Sequence, residues 1–260
     1  MLREIYAHFY KQIVVRMSET GELAGTFVWP LIGILSLGLF GKYLIVEGAS
    51  EAAIPMILIG VISWNFLGIA TRAISFGILY DLWNNCMKHF FNTAIKLRYY
   101  VIGASIFALL SGLIAFFIVL GAISLIFGNS FIIINSYILF GFFVVMLHGI
   151  AQGMMVTSLF VSKGYNWQGL SWILPGIMMI ICGVYYPISY LPESLQTISY
   201  LFPSTYAIQG MRDVVMGSLS VGQTNLLIGF LVSIAHLIFF SWTMKKAIQN
   251  GKKTGMIANY

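Results

Sequence analysis

Between Tyr99 and Ser162 the chain runs 64 residues without an Asp, Glu, Lys or Arg. A helix that crosses a bilayer takes about 20 mostly apolar residues, so this stretch predicts two membrane spans. "IFGNSF" (Ile126–Phe131) supplies the one clear turn inside it, through Gly128, Asn129 and Ser130. Four further stretches lack charge: Leu23–Gly41, Ala52–Thr71, Gly164–Pro192 and Val214–Met244. Together they predict an all-α integral membrane protein with six transmembrane helices. The spans fall near Gly25–Ile45, Ala53–Phe76, Val101–Ile126, Ile132–Val161, Gly169–Tyr186 and Leu226–Met244. Charged residues make up 8% of the chain, against about 25% in a soluble domain.

Charge orients the spans. With a cytoplasmic N-terminus, twelve of the fourteen bases fall inside: Arg3, Lys11, Arg16, Arg72, Lys88, Lys96, Arg98, Lys163, Lys245, Lys246, Lys252 and Lys253. Only Lys42 and Arg212 land on or near the outer side. Inner loops are enriched in Lys and Arg, so both termini are expected in the cytoplasm of a multi-pass protein of the cell (plasma or inner) membrane. The net charge of +6 is then a topology signal, and no basic soluble face calls for nucleic acid. No cleavable signal peptide is expected, because the first long apolar stretch starts only after Glu22. Cys86 and Cys182 are expected on different levels, one cytosolic and one within a span, with no disulfide between them.

The whole chain, 1–260, reads as one domain with three special segments. Residues 1–18, "MLREIYAHFYKQIVVRMS", place Leu2, Ile5, Tyr6, Phe9, Ile13, Val14 and Met17 at helical spacing. Arg3, Glu4, His8, Lys11, Gln12 and Arg16 fill the other face. Such a basic amphipathic helix is expected to lie in the membrane interface with its bases near headgroups; a helix packed on its own protein is the compatible alternative. Residues 79–98 carry Asp81, Trp83, Lys88, His89, Phe90 and Phe91 between spans two and three, a mixture that suits a cytoplasmic helix docked on a partner. Pro175 is expected to kink span five.

The third segment, "PISYLPESLQTISYLFPSTYAIQGMR" (Pro187–Arg212), is too interrupted to span and too apolar for a solvent loop. Pro192 suits the first turn of one short helix, with Glu193 near its positive end. Pro203 stops that helix, and Ser204 is expected to N-cap a second. Two short helices can dip into the outer leaflet if protein covers their backbone. The segment is then a re-entrant gate or passive packing.

Here the residues resemble a family. Proline after span five, then "LP…L…PxTYA…R" before the last span, is similar to the permease subunits of ABC-2-type exporters. The matching residues are Pro187, Leu191, Pro192, Leu195, Pro203, Thr205, Tyr206, Ala207 and Arg212. The layout agrees across nearly the whole chain: an amphipathic N-terminal helix, six spans, and a cytoplasmic helix between spans two and three. "YDLWNNCMKHFF" lacks the Arg-Glu pair that many drug-type members carry there.

The resemblance implies a transport subunit, not an enzyme, that works as a dimer with a second permease copy on a separate ATP-binding subunit. Arg16, Asp81, Trp83, Lys88, His89, Phe90 and Phe91 would then couple to the ATPase. Pro187, Leu191, Pro192, Pro203, Tyr206 and Arg212 would shape the outer gate. The cargo would be amphipathic, lipid-linked or polysaccharide, drawn from the cytoplasm or the membrane lipid. This chain has no G-x-x-x-x-G-K-[ST], and "GKKTG" (Gly251–Gly255) lacks the preceding glycine and strand. No cofactor or metal is therefore expected on it, and ATP with magnesium would sit on the partner.

Polar residues inside the spans are Asn65, Asn135, His148, Gln152 and His236. They either mark a pathway or bond between helices. Tyr185, Tyr186, Tyr190, Tyr200, Phe202 and Tyr206 gather near the outer interface, as an aromatic belt or as a stacking surface for sugar rings. Gly149 with Gly153, and Gly229 with Ser233, are small-residue pairs that let helices approach closely. Two rival classes are weaker. An intramembrane protease needs a nucleophile, base and oxyanion hole, and no G-x-S-G or H-E-x-x-H is present. An ion-coupled secondary transporter or channel would show mid-span acids or an inverted repeat, and neither is visible.

Overall fold

The computed structural model describes residues 2–18, 20–48, 50, 53–84, 96–128 and 134–253. Among these residues the protein is all-α, with no strand. The helices are α1 (Leu2–Ser18), α2 (Thr20–Val46), α3 (Ala53–Trp83), α4 (Leu97–Phe127), α5 (Ser136–Lys163), α6 (Leu170–Ile181), α7 (Glu193–Ser199), α8 (Pro203–Val215) and α9 (Leu219–Lys253). Short 3-10 turns at Tyr165–Gly169 and Ile188–Tyr190 flank α6. Among the described residues five helices, α2, α3, α4, α5 and α9, are long and apolar enough to cross a membrane.

Burial ranks these helices. In their most apolar windows α3 is 78% buried and α5 72%, while α9 is only 17% buried. The first two form the centre, and α9 turns one apolar face outward through Leu231, Ile238, Phe239 and Trp242. An outward face of that kind is stable in lipid, where apolar surface carries no cost. Phe66, Phe116 and Phe142 tie α3, α4 and α5 together, with ring centroids 5.2 to 6.1 Å apart. Aromatic pairs in this range contribute beyond their buried area.

The glycine pairs sit where helices touch. A Cβ on Gly149 would lie 2.7 Å from Leu67 O and Ala70 Cβ. One on Gly153 would lie 2.7 Å from Thr71 O. The α5 backbone therefore rests on the α3 backbone over two turns. On α9, Gly229 faces Pro203 O and Tyr206 Cβ, and the buried Ser233 hydroxyl donates to Val144 O at 3.4 Å.

Helix α1 has the amphipathic pattern that its periodicity predicts, but its polar face turns inward. His8, Gln12 and Arg16 are buried, while Leu2, Tyr6, Tyr10, Val14 and Met17 are exposed. Lys11 pairs with Asp81 on α3. Gln12 Nε2 donates to Tyr100 Oη at 3.4 Å, Tyr100 Oη donates to Ile74 O at 3.3 Å, and Arg16 Nη2 donates to Arg72 O at 3.0 Å. Burial, with Lys11 beside it, holds the His8 imidazole below its ordinary pKa. Lys11 and Arg16 thus bond to the protein itself, as the compatible alternative expects, while Leu2, Tyr6, Val14 and Met17 of the apolar stripe are exposed. Where the surroundings are apolar, polar groups gain most by bonding to one another.

Other boundaries shift for local reasons. Helix α3 runs past Arg72 to Trp83, so Arg72 is not at its end, and Leu79, Asp81 and Leu82 are buried helix residues. Asn135 is not inside a span: its side-chain oxygen accepts from Ile138 N at 2.9 Å and caps α5. The expected basic tail continues α9 as far as Lys253.

Expected span five contains only 12 residues of α-helix, about 18 Å of rise. The helix continues through Pro175, whose carbonyl accepts from Trp64 Nε1 on α3 at 2.8 Å. Removing that donor in Trp64→Phe should cost about 1 kcal/mol. A thermal melt in detergent should then fall by roughly 2–4 °C.

Candidate functional site

Helix α6 ends at Ile181 with Cys182 as its C-cap, and Gly183 turns the chain with φ of +64°, a backbone region that favours glycine. The carbonyls beyond a helix end have no partner within it. In an apolar environment each needs a donor from elsewhere. Arg212, on α8, supplies them. Its Nη1 donates to Gly183 O at 2.7 Å and to Tyr186 O at 3.2 Å. Its Nη2 donates to Val184 O at 2.6 Å, and its Nε to Met56 O on α3 at 3.2 Å. Arg212 is 4% exposed. The planar guanidinium fork suits several carbonyls at once, and its charge suits the negative end of a helix.

Gly60 on α3 makes room for this junction. A Cβ there would lie 1.7 Å from Val184 O and 2.9 Å from Arg212 Nη2. Three pieces of backbone, from α3, the end of α6 and α8, thus meet around one side chain.

The other residues expected at the outer gate lie along the chain between Tyr186 and Arg212. Pro187 is exposed and opens the 3-10 turn, and Leu191 closes it. Pro192 precedes α7 as its N-cap. Pro203 is buried at the first turn of α8, where its missing N–H costs nothing. Tyr206 is half-buried, and its ring lies 5.8 Å from that of Tyr200. Ser204 was expected to N-cap α8, and this is corrected: Phe202 holds that position. Ser204 is buried, with its hydroxyl 2.6 Å from His148 Nδ1.

That contact gathers three of the five expected pathway residues. His148 lies 5.7 Å from the ring of His236, and Phe202 and Phe240 flank the pair. Gln152 is one turn further along α5, with its Oε1 3.4 Å from the Thr71 hydroxyl. Among the described residues, His236 Nδ1 and Gln152 Nε2 are buried with no hydrogen-bond partner. A buried group of this kind marks a place where a water or ligand would be favoured. Asn65 stands apart, donating to Val61 O within its own helix at 2.8 Å. Asn135 is the cap of α5.

Residues expected to couple to a partner lie at the other end of α3. Met56, which meets Arg212, and Asp81, which meets Lys11, are separated by about 37 Å of helix. Arg16 and Asp81 are 5% and 7% exposed, whereas Trp83 is 43% exposed and stacks edge-on with Tyr80. Lys88, His89, Phe90 and Phe91 lie outside the described residues. Sequence reasoning missed Gly60, Lys11 and Tyr100 as parts of these two ends, and Thr71 as the partner of Gln152 between them. Gly60 carried a weak signal, a lone glycine in an apolar helix. The others gave none, because their partners are distant in sequence.

No protein-family model matches this chain, and no curated protein shows significant similarity to it.

Proposed function

We propose that the chain is the membrane permease subunit of an ATP-driven exporter of the ABC-2 type. The observation that supports this reading is the pair of short helices α7 and α8 between the 12-residue α6 and the last long helix. Helix α8 runs antiparallel to α5: Met211 packs against Gly141, and Ser204 against His148. His148 is twelve residues beyond Ser136, the first residue of α5, so the start of α8 meets α5 about 18 Å along its axis from that end. In this reading α6 with its 3-10 lead-in is the fifth of six spans, and α7–α8 is re-entrant from the outer side. Arg212 satisfies the backbone exposed where the fifth helix breaks.

The opposite end is cytoplasmic in this reading, with both termini. A separate ATP-binding subunit docks on residues 79–98, and two permease copies form the passage between them. Arg16 and Asp81 act from inside: the Lys11–Asp81 pair would make α1 move with the end of α3, while exposed Trp83 faces the partner. The cargo class is amphipathic, lipid-linked or polysaccharide, and energy comes from ATP on the partner.

The test is purification from native membranes in mild detergent, with mass spectrometry of what accompanies the chain. An ATP-binding subunit in equal amount is expected. Trp83→Ala with Phe90→Ala and Phe91→Ala should weaken that association by about a hundredfold or more, as loss of aromatic anchors does elsewhere. Recovery of the chain alone under several mild conditions would turn the reading to a channel or ion-coupled transporter.

A further inference from the structure

Beside the Arg212 junction lies a pocket of about 250 Å³. Pro187, Ser189, Tyr200, Tyr206, Gln209 and Asn225 line it. We infer that it binds one sugar ring, as the outer recognition point for a glycan or a glycosylated lipid. The role on the export route rests on the proposed function, but the chemistry of the pocket does not.

Its two kinds of lining suit the C–H face and the hydroxyl-bearing edge of a pyranose. Tyr200 and Tyr206, with centroids 5.8 Å apart and planes at 47°, form an angled aromatic wall. A sugar ring presents C–H groups to such a face, while its hydroxyls point outward in the ring plane. Beside the tyrosines the lining carries two amides, Gln209 and Asn225. Gln209 Nε2 donates to Asp213 Oδ1 at 3.0 Å, and Asn225 Nδ2 donates to Asp213 Oδ2 at 2.8 Å. One carboxylate therefore fixes both amides in place. Each amide group still has a second N–H, and each has a carbonyl oxygen. Adjacent hydroxyls that donate and accept at once match this set. A preorganised donor and acceptor set beside an aromatic wall is the usual make-up of a small-ligand site. The volume holds one ring-sized unit and is too small for a folded partner. Of the six outer aromatics, these two line the pocket, whereas Phe202 turns to His148 and the Tyr186 hydroxyl donates to Ile180 O.

The experiment uses the full chain in nanodiscs, without any partner subunit. Methyl α-glucoside, methyl α-mannoside, methyl β-galactoside and choline are each tested by saturation-transfer NMR. At least one glycoside should bind with a dissociation constant on the order of 1 mM, as one weakly held ring would. Saturation should be strongest on its ring C–H protons. Tyr206→Ala and Asn225→Leu should each abolish the transfer, while Tyr206→Phe should retain it. If Asn225→Leu lowers the melting temperature, Tyr200→Ala replaces it as the second variant. Transfer to no glycoside at tens of millimolar overturns the inference, for a single ring held there would show it. So does transfer that survives Tyr206→Ala, and so does binding of choline alone, which would make the tyrosines an ammonium cage. Co-purification of an ATPase reports separately on the exporter reading, so the two can fail independently.

Discussion

Arg212→Met is expected to lower the melting temperature of the protein in detergent by about 10 °C, near 4 kcal/mol for a chain of this size. Methionine fills much of the same volume but donates nothing. The carbonyls of Gly183, Val184, Tyr186 and Met56 would all lose a donor. A hydrogen bond to a charged group contributes about 1.5–3 kcal/mol net. The sum is reduced because the wild-type guanidinium is itself costly to bury. The loss stays large because the orphaned carbonyls cannot turn to water without opening α8 from α3. Arg212→Lys should recover less than half of it, since an ammonium is a point donor that cannot reach carbonyls on two sides of a planar fork. Limited proteolysis between residues 183 and 192 should quicken in both variants, more in Arg212→Met. A melt unchanged by Arg212→Met would mean that the break in α6 is held by packing alone.

Parts of this arrangement were legible in the chain, and the reason differs by element. Helices α3, α4 and α5 announce themselves because the bilayer demands composition, and composition survives without a contact map. Gly149 and Gly153 announced a close approach because small residues four apart serve few other ends in an apolar helix. The end of span five was misplaced: it was expected near Tyr186 with a kink at Pro175, and α6 stops at Ile181. Pro175 is the visible helix breaker, yet its carbonyl is held by Trp64, and the helix ends at Ile181, where Arg212 takes the carbonyls that follow. That donor lies 29 residues downstream and has no local signature. Helix α1 shows the converse case. Its period marked two faces, but a period does not say which one turns inward. With apolar surroundings the usual assignment inverts, and Gln12 and Arg16 become the buried side. Asn135 looked like a polar residue within a span only because the start of α5 was placed four residues early. The pairing of His148 with Ser204 and His236 needed the fold itself, since these residues are brought together from α5, α8 and α9.

Gly153→Leu should prevent the central pair of helices from closing, and almost no monodisperse folded protein should survive extraction. A Cβ at this position would sit 2.7 Å from Thr71 O and 2.8 Å from Ile74 Cβ. Neither neighbour is the free end of a flexible side chain: one is helix backbone and the other a branched carbon fixed on its own helix. Helix α5 must therefore move away from α3, and the hydroxyl contacts of Thr71 with Gly149 O and Gln152 Oε1, at 3.2 and 3.4 Å, go with it. In water such a gap is partly offset by other apolar contacts, but in lipid the drive to associate is close packing itself. Overpacking at a buried site costs about 1–3 kcal/mol even where neighbours can yield, and here they cannot. Gly121→Leu is the matched control, because nothing lies within 4 Å of a Cβ at Gly121; it should melt with the wild type. Gly153→Ala should fall between the two. A folded Gly153→Leu protein with an unchanged melt would mean that α3 and α5 part at low cost, and the polar side chains between them would then border a space that opens rather than a packed centre.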